Sequence, residues 1–174
     1  LPGPAACITA LTLSGLPTRR FCFEAFLPTD KKERQWILEE LKQETRTMIV
    51  YEAPHHLVRT LEELGAALGM ERRLTLCREL TKRYEEAYQA TFAEALQRFE
   101  TEEPKGECVI VIEGRSIEDL KREQQKSWEE MSLEDHMEVY LTQGMDRKEA
   151  MKKVAKDRGI SKRDVYQGLM ERDE

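Results

Sequence analysis

The sequence predicts an α/β fold followed by a small helical module. In residues 1–114, short runs rich in β-branched and aromatic residues alternate with amphipathic helical patterns, an arrangement typical of a sheet covered by helices. Two runs, residues 48–51 and 108–112, are continuously apolar, which indicates strands buried on both faces. We therefore predict a mixed sheet of about five strands with helices on both faces, a charged linker over residues 115–131 and a helical module over residues 132–174.

Length, charge and cysteine content exclude several classes of protein. The chain has 174 residues and a net charge of −6, so it carries no overall nucleic-acid signature. Its four cysteines lie far apart, and we expect free, buried thiols in a reducing cytoplasm. No apolar run approaches the roughly 20 residues that span a bilayer, and we expect no membrane association. The chain opens on Leu1-Pro-Gly-Pro4 without an initiator methionine, which we interpret as the middle of a longer protein.

The first part of the α/β segment is predicted to contain two helices and one strand. The first helix spans residues 5–14, with Pro4 at its N1 position and Gly15 at its end. Because apolar residues occur on most of its faces, we expect it to be mostly buried. An aromatic-rich strand over residues 21–27 and a helix over residues 31–43 follow. The side chains of this second helix that we expect to face the core are Trp36, Ile37 and Leu41.

The central strand and the helix after it have the clearest local signals. The strand covers residues 48–51, Glu52 ends it, and Pro54 suits the first turn of a helix because no amide hydrogen bond is needed there. One face of this helix is apolar at i, i+4, i+7 and i+11, and Gly69 ends it. The residues on that apolar face are Leu57, Leu61, Leu64 and Leu68.

Three further strands and one helix complete the α/β segment. A strand over residues 73–78 ends in a polar loop, and residues 84–90 fit either a strand or the start of a helix; we favour a strand. Thr91 is expected to cap a helix that runs to about residue 101. The apolar run of residues 108–112 supplies the fifth strand.

The C-terminal segment contains the capping and terminating residues of three helices. Ser132, Asp146 and Ser161 are expected to cap them, and Gly144 and Gly159 to end the first two. The last helix is predicted to run to the end of the chain. Two short helices joined by a glycine-containing turn indicate a helix-turn-helix arrangement. The predicted apolar stripes are Ala150, Met151, Val154 and Ala155 on one helix and Val165, Tyr166, Leu169 and Met170 on the next. The charged residues 115–131 before them fit a linker, a solvated helix or disorder.

The charge of this segment differs from that of the rest of the chain. Residues 144–166 contain eight basic and four acidic residues, a net charge of +4 that leaves −10 for the remainder. A basic segment on an acidic protein suggests contact with phosphates, although a solvated bundle with ordinary lysines fits the same pattern. The candidate phosphate-binding residues are Lys152, Lys153, Lys156, Lys162 and Arg163.

The corner after the central strand is a candidate ligand site, because ligands of open α/β sheets bind where strands pass into helices. Glu52, His55 and His56 lie there. A capped connection with solvated polar residues explains the same pattern. The adjacent histidines point about 100° apart on a helix, so they are poor joint metal ligands, and His136 stands alone on a polar helix. We therefore predict no metal site.

Several ordered motifs resemble one known family. It is the ribosomal small-subunit RNA 2′-O-methyltransferase I family, within the tetrapyrrole methylase superfamily, and the match extends over nearly the whole chain. The resemblance implies the second lobe of a tetrapyrrole-methylase fold, with the segment 144–166 similar to the family's C-terminal part. The motifs that carry it are Leu1-Pro-Gly-Pro-Ala-Ala6, Leu13-Ser-Gly-Leu-Pro17, Phe21-Cys-Phe-Glu-Ala-Phe-Leu-Pro28, Thr47-Met-Ile-Val-Tyr-Glu-Ala-Pro-His55 and Arg78-Glu-Leu-Thr-Lys-Arg-Tyr-Glu85.

The resemblance implies an activity, a cofactor and partners. The expected reaction moves a methyl group from S-adenosylmethionine to the ribose 2′-hydroxyl of a cytidine in small-subunit ribosomal RNA, and the expected assembly is a homodimer. A small-molecule methylase of the tetrapyrrole type and a nucleic-acid-binding regulator without enzymatic activity are the alternatives. The residues that correspond to the family's cofactor-binding positions are Ala5, Ala6, Glu52 and Leu80.

The chain departs from the family pattern in two ways. Ala5 and Ala53 stand where the family usually has serine, His56 where it has arginine, and Ala90 where it has glycine. The family's N-terminal lobe, which holds much of the cofactor and is expected to contain the catalytic residues, has no counterpart in these residues. We therefore expect this chain alone to bind S-adenosylmethionine weakly or not at all.

Overall fold

The computed structural model describes residues 3–170. The chain divides into two compact units, Leu1–Arg115, here called the α/β unit, and Ser116–Glu174, here called the helical unit.

The α/β unit is built on a five-stranded mixed sheet, as predicted. The strand order is β1-β2-β5-β3-β4. The β1–β2 pair is parallel, and the other three pairs are antiparallel. The two continuously apolar strands, β2 and β5, are adjacent in the interior of the sheet, which confirms the prediction made from their composition. The strands are β1 Phe21–Phe26, β2 Thr47–Glu52, β3 Arg73–Arg78, β4 Glu86–Thr91 and β5 Cys108–Ile112.

Helices cover both faces of this sheet, which confirms the predicted fold class. On one face, α2, α3 and α4 bury the main core together with Met48, Val50 and Ile110. On the other face, α1 packs over a smaller core that includes Ile49, Val109 and Val111. Alternate residues of β2 and β5 thus enter different cores, as the pleat of a strand requires. The helices are α1 Ala6–Leu13, α2 Lys31–Leu41, α3 Pro54–Leu68 and α4 Phe92–Phe99.

The helix α3 forms as its sequence predicts. Pro54 occupies its first turn and Gly69 ends it. The four leucines at helical spacing are all buried against the sheet. Since burying a leucine side chain contributes about 1.5–3 kcal/mol, this face fixes α3 on the end of β2, where the candidate site begins.

The predicted burial of α1 is wrong, and that of α2 is wrong only for Trp36. In α1 only Ala10 and Leu11 are buried, because one side of the helix meets the sheet and no described element covers the other. Its N-cap is Ala5, so Pro4 precedes the helix instead of occupying N1. In α2 Leu41 is buried and Ile37 packs against the main core, as predicted, whereas Trp36, about 200° from the buried Leu38 around the helix, is 61% exposed.

The helical unit contains four helices with a small core of its own. The predicted caps Ser132 and Asp146 accept hydrogen bonds from the amides of Asp135 and Glu149. The segment 115–131 is mostly the helix α5, which has no fully buried residue. Residues 171–174, to which we extended the last helix, lie outside the described residues. The helices are α5 Ile117–Glu130, α6 Leu133–Thr142, α7 Arg147–Arg158 and α8 Lys162–Met170.

The predicted apolar stripes of the helical unit are confirmed on α7 and only partly on α8. Ala150, Met151, Val154 and Ala155 are all buried. On α8 Val165 is fully buried and Leu169 packs against the same core, but Tyr166 and Met170 are exposed. Among residues 3–170, no helix is long and apolar enough to cross a membrane.

Candidate functional site

The strands β2 and β3 lie on either side of β5 and end at the same level. Glu52, the last residue of β2, and Arg78, the last residue of β3, both lie opposite Cys108 of β5. Because β5 is antiparallel to both, β2 and β3 run in the same direction and finish at the same end of the sheet. The corner that leads into α3 and the loop of residues 79–82 therefore leave the sheet at the same end, with β5 between them. We call this region the β2/β3 end.

Glu52 is a buried carboxylate whose two oxygens both accept hydrogen bonds. Only 6% of the residue is exposed. Its Oε1 accepts a hydrogen bond from the amide of Ala53 at 2.8 Å, and its Oε2 accepts one from the hydroxyl of Thr60 at 2.6 Å. Nη2 of Arg34 donates to the same Thr60 oxygen at 2.7 Å. This chain of bonds joins α2, α3 and the end of β2, so it braces the corner.

The two neighbouring histidines do not form a site with Glu52. His55 and His56 are both exposed, with their ring centroids 4.1 Å apart. Nδ1 of His56 is 3.9 Å from Oε1 of Glu52, which is beyond hydrogen-bond range. Within residues 3–170, no group of three or more His, Cys, Asp or Glu side chains could hold a metal ion.

Tyr51 lies on the opposite face of β2 from Glu52 and joins the start of α1 to the sheet. The backbone amide of Cys7 donates a hydrogen bond of 2.9 Å to the Tyr51 hydroxyl. Partial burial raises the pKa of this hydroxyl, so it stays protonated at neutral pH. The Tyr51 ring meets Phe23 and Phe26 edge-on, with centroids 4.9 and 5.7 Å away. Both phenylalanines are exposed, which leaves an aromatic surface beside α1.

The loop after β3 has an unusual backbone. Glu79 and Thr81 have φ angles of 49° and 64°, values that non-glycine residues seldom adopt outside turns and functional loops. The amide of Glu79 donates to the carbonyl oxygen of Glu107 at 3.2 Å, and the amide of Thr81 donates to Oε2 of Glu85 at 2.6 Å. Between them, Leu80 packs against the same small core as Cys7 and Tyr51. The loop is thus held in one conformation with Leu80 turned toward α1.

The structure places the four predicted cofactor-binding residues on two sides of the sheet: Leu80 and the start of α1 adjoin the smaller core, and Glu52 faces α3. Ala5 and Ala6 begin α1 and are exposed, and they adjoin the Cys7–Tyr51 bond on the side where Leu80 packs. Glu52 is at the same end of the sheet but faces α3. Sequence reasoning missed Tyr51, although a tyrosine at the end of an otherwise aliphatic strand is a signal that its hydroxyl has a partner.

The five predicted phosphate-binding residues all lie on the surface of the helical unit. Each is exposed. In the described part of the chain, none forms an ion pair or a side-chain hydrogen bond. By contrast, Arg34, Arg46 and Arg59 of the α/β unit each pair with a glutamate, as do Arg73, Arg78 and Arg98. The positive charge of α7 and α8 is thus available to an external anion. We call Lys152, Lys153, Lys156, Lys162 and Arg163 the basic face.

His136 packs in the interior of the helical unit. The prediction that it stands alone on a polar helix is therefore wrong. His136 is fully buried and stacks on Trp128, with ring centroids 4.1 Å apart and planes 5° apart. Nε of Arg158 donates to its Nδ1 at 3.1 Å. Its buried Nε2 has no hydrogen-bond partner among the described residues, although Oδ2 of Asp157, which acts to raise the pKa, is 3.6 Å away. Burial and the nearby Arg158 charge lower the pKa of His136, so the ring is neutral at neutral pH.

Three of the four cysteines are not activated nucleophiles. Burial raises the pKa of Cys22 to about 12 and those of Cys77 and Cys108 to about 11. These thiols therefore stay protonated at neutral pH, and a protonated thiol is a weak nucleophile. All four cysteines are free.

Known proteins similar to this chain are named as methyltransferases. "Ribosomal RNA small subunit methyltransferase I" of Halalkalibacterium halodurans is 43% identical over 95% of this chain and 56% of its own length. The protein of the same name from Synechocystis sp. is 42% identical over 98% of this chain and 60% of its own length. The chain thus spans somewhat more than half the length of these relatives. A solved structure of the methyltransferase CobJ is 20% identical, with a TM-score of 0.47 over 67% of this chain and 52% of that one.

The match to a family model is consistent with these relatives and with the resemblance found in the motifs. The model described as Tetrapyrrole (Corrin/Porphyrin) Methylases matches residues 1–96, which include β1, β2, β3 and the whole β2/β3 end. Since this match covers more than half of the chain, the protein belongs to the tetrapyrrole (corrin/porphyrin) methylase family.

Proposed function

We propose that this chain is the part of an S-adenosylmethionine-dependent methyltransferase that forms one wall of the cofactor cleft and holds the RNA substrate. The proposed substrate is a cytidine 2′-hydroxyl of small-subunit ribosomal RNA. The observation that carries the proposal is the identity of 42–43% over almost the whole chain to proteins named as small-subunit ribosomal RNA methyltransferases.

The start of α1, Tyr51 and the loop after β3 fit one side of a cofactor. The start of α1 has small, exposed side chains at Ala5 and Ala6 and no side-chain cap, so a planar ring can approach the backbone closely. The Cys7–Tyr51 bond fixes this start of α1 relative to β2. The constrained loop presents Leu80 as an apolar surface. When bound, the cofactor would supply a methyl group on a sulfonium centre, and these residues would bind and orient it.

Glu52 has a different role in this proposal from the one that its position in the motif suggested. Both of its oxygens already accept hydrogen bonds inside the protein, and its side chain faces α3. We assign it as a positioning residue that keeps the corner of β2 and α3 rigid. Rigid placement contributes to catalysis because a methyl transfer requires the reacting atoms to be held in line.

The basic face of the helical unit would hold the substrate. The segment 144–166 has a net charge of +4 on a chain of −6, and the five side chains of the basic face lack carboxylate partners within the described residues. Phosphate contacts of this kind supply affinity and position a nucleic acid without reading its sequence. They also favour RNA over a tetrapyrrole as the substrate, although the family model is named after tetrapyrrole methylases.

Methyl transfer in the intact protein tests this function. Purified protein is incubated with small ribosomal subunits and S-adenosylmethionine carrying a labelled methyl group, and the RNA is digested to nucleosides. We expect label in 2′-O-methylcytidine. Label on a base, on a tetrapyrrole offered in parallel or in no RNA at all would contradict the proposal. The predicted homodimer and the predicted cytoplasmic location stay predictions.

A further inference from the structure

Tyr166 is an exposed aromatic residue on α8. The opposite side of this helix packs against the core of the helical unit. Tyr166 is 51% exposed, whereas the adjacent Val165 is fully buried. Within residues 3–170, its hydroxyl has no hydrogen-bond partner, and its ring contacts no other aromatic ring or cation. The sequence predicted Tyr166 as part of the apolar stripe that faces α7. The helix instead turns Val165 and Leu169 toward that core and leaves the tyrosine outside.

The surroundings of Tyr166 on the helix surface are positively charged. Lys162 and Arg163 precede it by four and three residues, so they share its side of α8. Met170, four residues after it, is 48% exposed. This side of α8 therefore presents two cations, then an aromatic ring, then a polarisable apolar side chain. Neither cation has a carboxylate partner among the described residues.

The composition of this surface indicates more than backbone contact. Lysines and arginines hold phosphates of any sequence. An exposed aromatic ring among them can in addition stack on a nucleobase, which has a flat face of similar size. In a paired A-form helix the base faces are covered by their neighbours, so only unpaired bases in loops, bulges or single strands are accessible to such a ring.

We propose that Tyr166 stacks on an unpaired base of the RNA that the basic face binds, so that the helical unit prefers unpaired RNA to a duplex. This inference rests on the proposed RNA-binding function and adds to it the class of RNA that is recognised. The cations Lys162 and Arg163 hold the phosphates next to the base, and the Tyr166 ring selects the exposed base.

The test compares binding of the 174-residue chain to two RNA probes. One is a hairpin with a single-stranded loop that contains the fluorescent base 2-aminopurine, and the other is a fully paired duplex of the same stem sequence. For Tyr166→Ala we expect hairpin affinity to fall roughly 5- to 150-fold, the range for loss of one base–aromatic stack, with duplex affinity and salt dependence unchanged. Tyr166→Phe should bind as the wild type does, because stacking needs the ring and not the hydroxyl.

Three results separate this inference from the function on which it rests. Quenching of 2-aminopurine by the wild type and by Tyr166→Phe, but not by Tyr166→Ala, would support stacking. If the wild type binds hairpin RNA and Tyr166→Ala binds it equally well, the stacking inference is overturned while RNA binding stands. If the wild type binds neither probe, both are overturned. Circular dichroism of each variant establishes that α8 is intact, and Tyr166→Trp provides a second variant that should retain quenching.

Discussion

The backbone amide of Cys7 donates a hydrogen bond to the hydroxyl of Tyr51, 2.9 Å away and 44 residues later in the chain. This bond fixes the beginning of α1 against the end of β2. The next residue, Glu52, faces the opposite side of the sheet and is bonded to Thr60 of α3. Two consecutive residues thus anchor helices on both faces, which makes the end of β2 the rigid point of the candidate cofactor wall.

Tyr51→Phe removes the hydroxyl that accepts the Cys7 amide. We expect a loss of about 0.5–1.5 kcal/mol in the free energy of unfolding, the usual net value of one hydrogen bond, measured by urea denaturation. Tyr88→Phe is the matched control, because within the described residues the Tyr88 hydroxyl forms no hydrogen bond. Equal stabilities of the two variants would show that the Cys7–Tyr51 bond does not stabilise the start of α1.

Thr60→Val tests whether Glu52 braces the corner. Valine keeps the shape of threonine but leaves Oε2 of Glu52 buried without its donor, so we expect a loss of about 1–3 kcal/mol. Thr12→Val is the control, since the Thr12 hydroxyl bonds only to a carbonyl oxygen of its own exposed helix. A Thr60 variant as stable as the Thr12 variant would mean that Glu52 finds another donor and that the brace is dispensable.

Gly106→Ala tests the constrained loop after β3. Gly106 has a φ of 79°, and an added Cβ would collide with the Glu79 side chain. Gly144→Ala is the control, because Gly144 has a similar φ of 86° and has open space around it. Both variants carry the backbone cost of about 1–2 kcal/mol. We expect only Gly106→Ala to lose additional stability and to lose protection from amide exchange at residues 79–82. Equal effects of the two variants would contradict a close fit between Gly106 and the Glu79 side chain.

The stability of the helical unit should depend on pH through His136. Its pKa in the folded protein is lowered below the ordinary value of 6.5 by burial and by Arg158. The contribution of neutral His136 to the free energy of unfolding is therefore fully present above about pH 6.5, and it is lost as the pH falls toward the pKa of the folded state. We expect a lower melting temperature at pH 5.5 than at pH 7.5. Thermal unfolding is monitored by the fluorescence of Trp128, which stacks on His136.

His136→Leu provides the control for this pH dependence, because it fills the buried position with a group that does not titrate. Its melting temperature should not change between pH 5.5 and pH 7.5. In His55→Gln, a change at an exposed histidine, the melting temperature should depend on pH as it does in the wild type. An identical slope in the wild type and in His136→Leu would show that another group controls the response.

The parts of the fold that local chemistry determines could be predicted from the sequence. Pro54, Gly69 and the leucines between them define α3, and the apolar runs define β2 and β5. The exposure of Trp36 and of most of α1 could not be predicted, because it depends on which elements cover each face. For the same reason His136 was misinterpreted, since the Trp128 ring that buries it lies in a segment with a charged composition.

The candidate site was predicted only in part. The cofactor-binding role of Ala5, Ala6, Glu52 and Leu80 stays a prediction, and the alternation of β2 explains why Glu52 faces α3 and not the core that α1 covers. Tyr51 was not predicted: its position at the end of an aliphatic strand indicates that its hydroxyl has a partner, but the sequence does not show which backbone amide that partner is. The positive φ angles of Glu79 and Thr81 likewise arise from contacts with Glu107 and Glu85 that spacing does not show.

The most direct test of the account is the salt dependence of RNA binding by the basic face. Changing Lys152, Lys153 and Lys156 to glutamine should lower the affinity for small-subunit ribosomal RNA and reduce the slope of log affinity against log salt by about 2, since each phosphate contact contributes about 0.7 on single strands. The control changes Lys31, Lys32 and Lys105 of the α/β unit in the same way and should leave both quantities unchanged. If the two triple variants bind RNA with the same affinity and slope, the basic face does not hold the substrate.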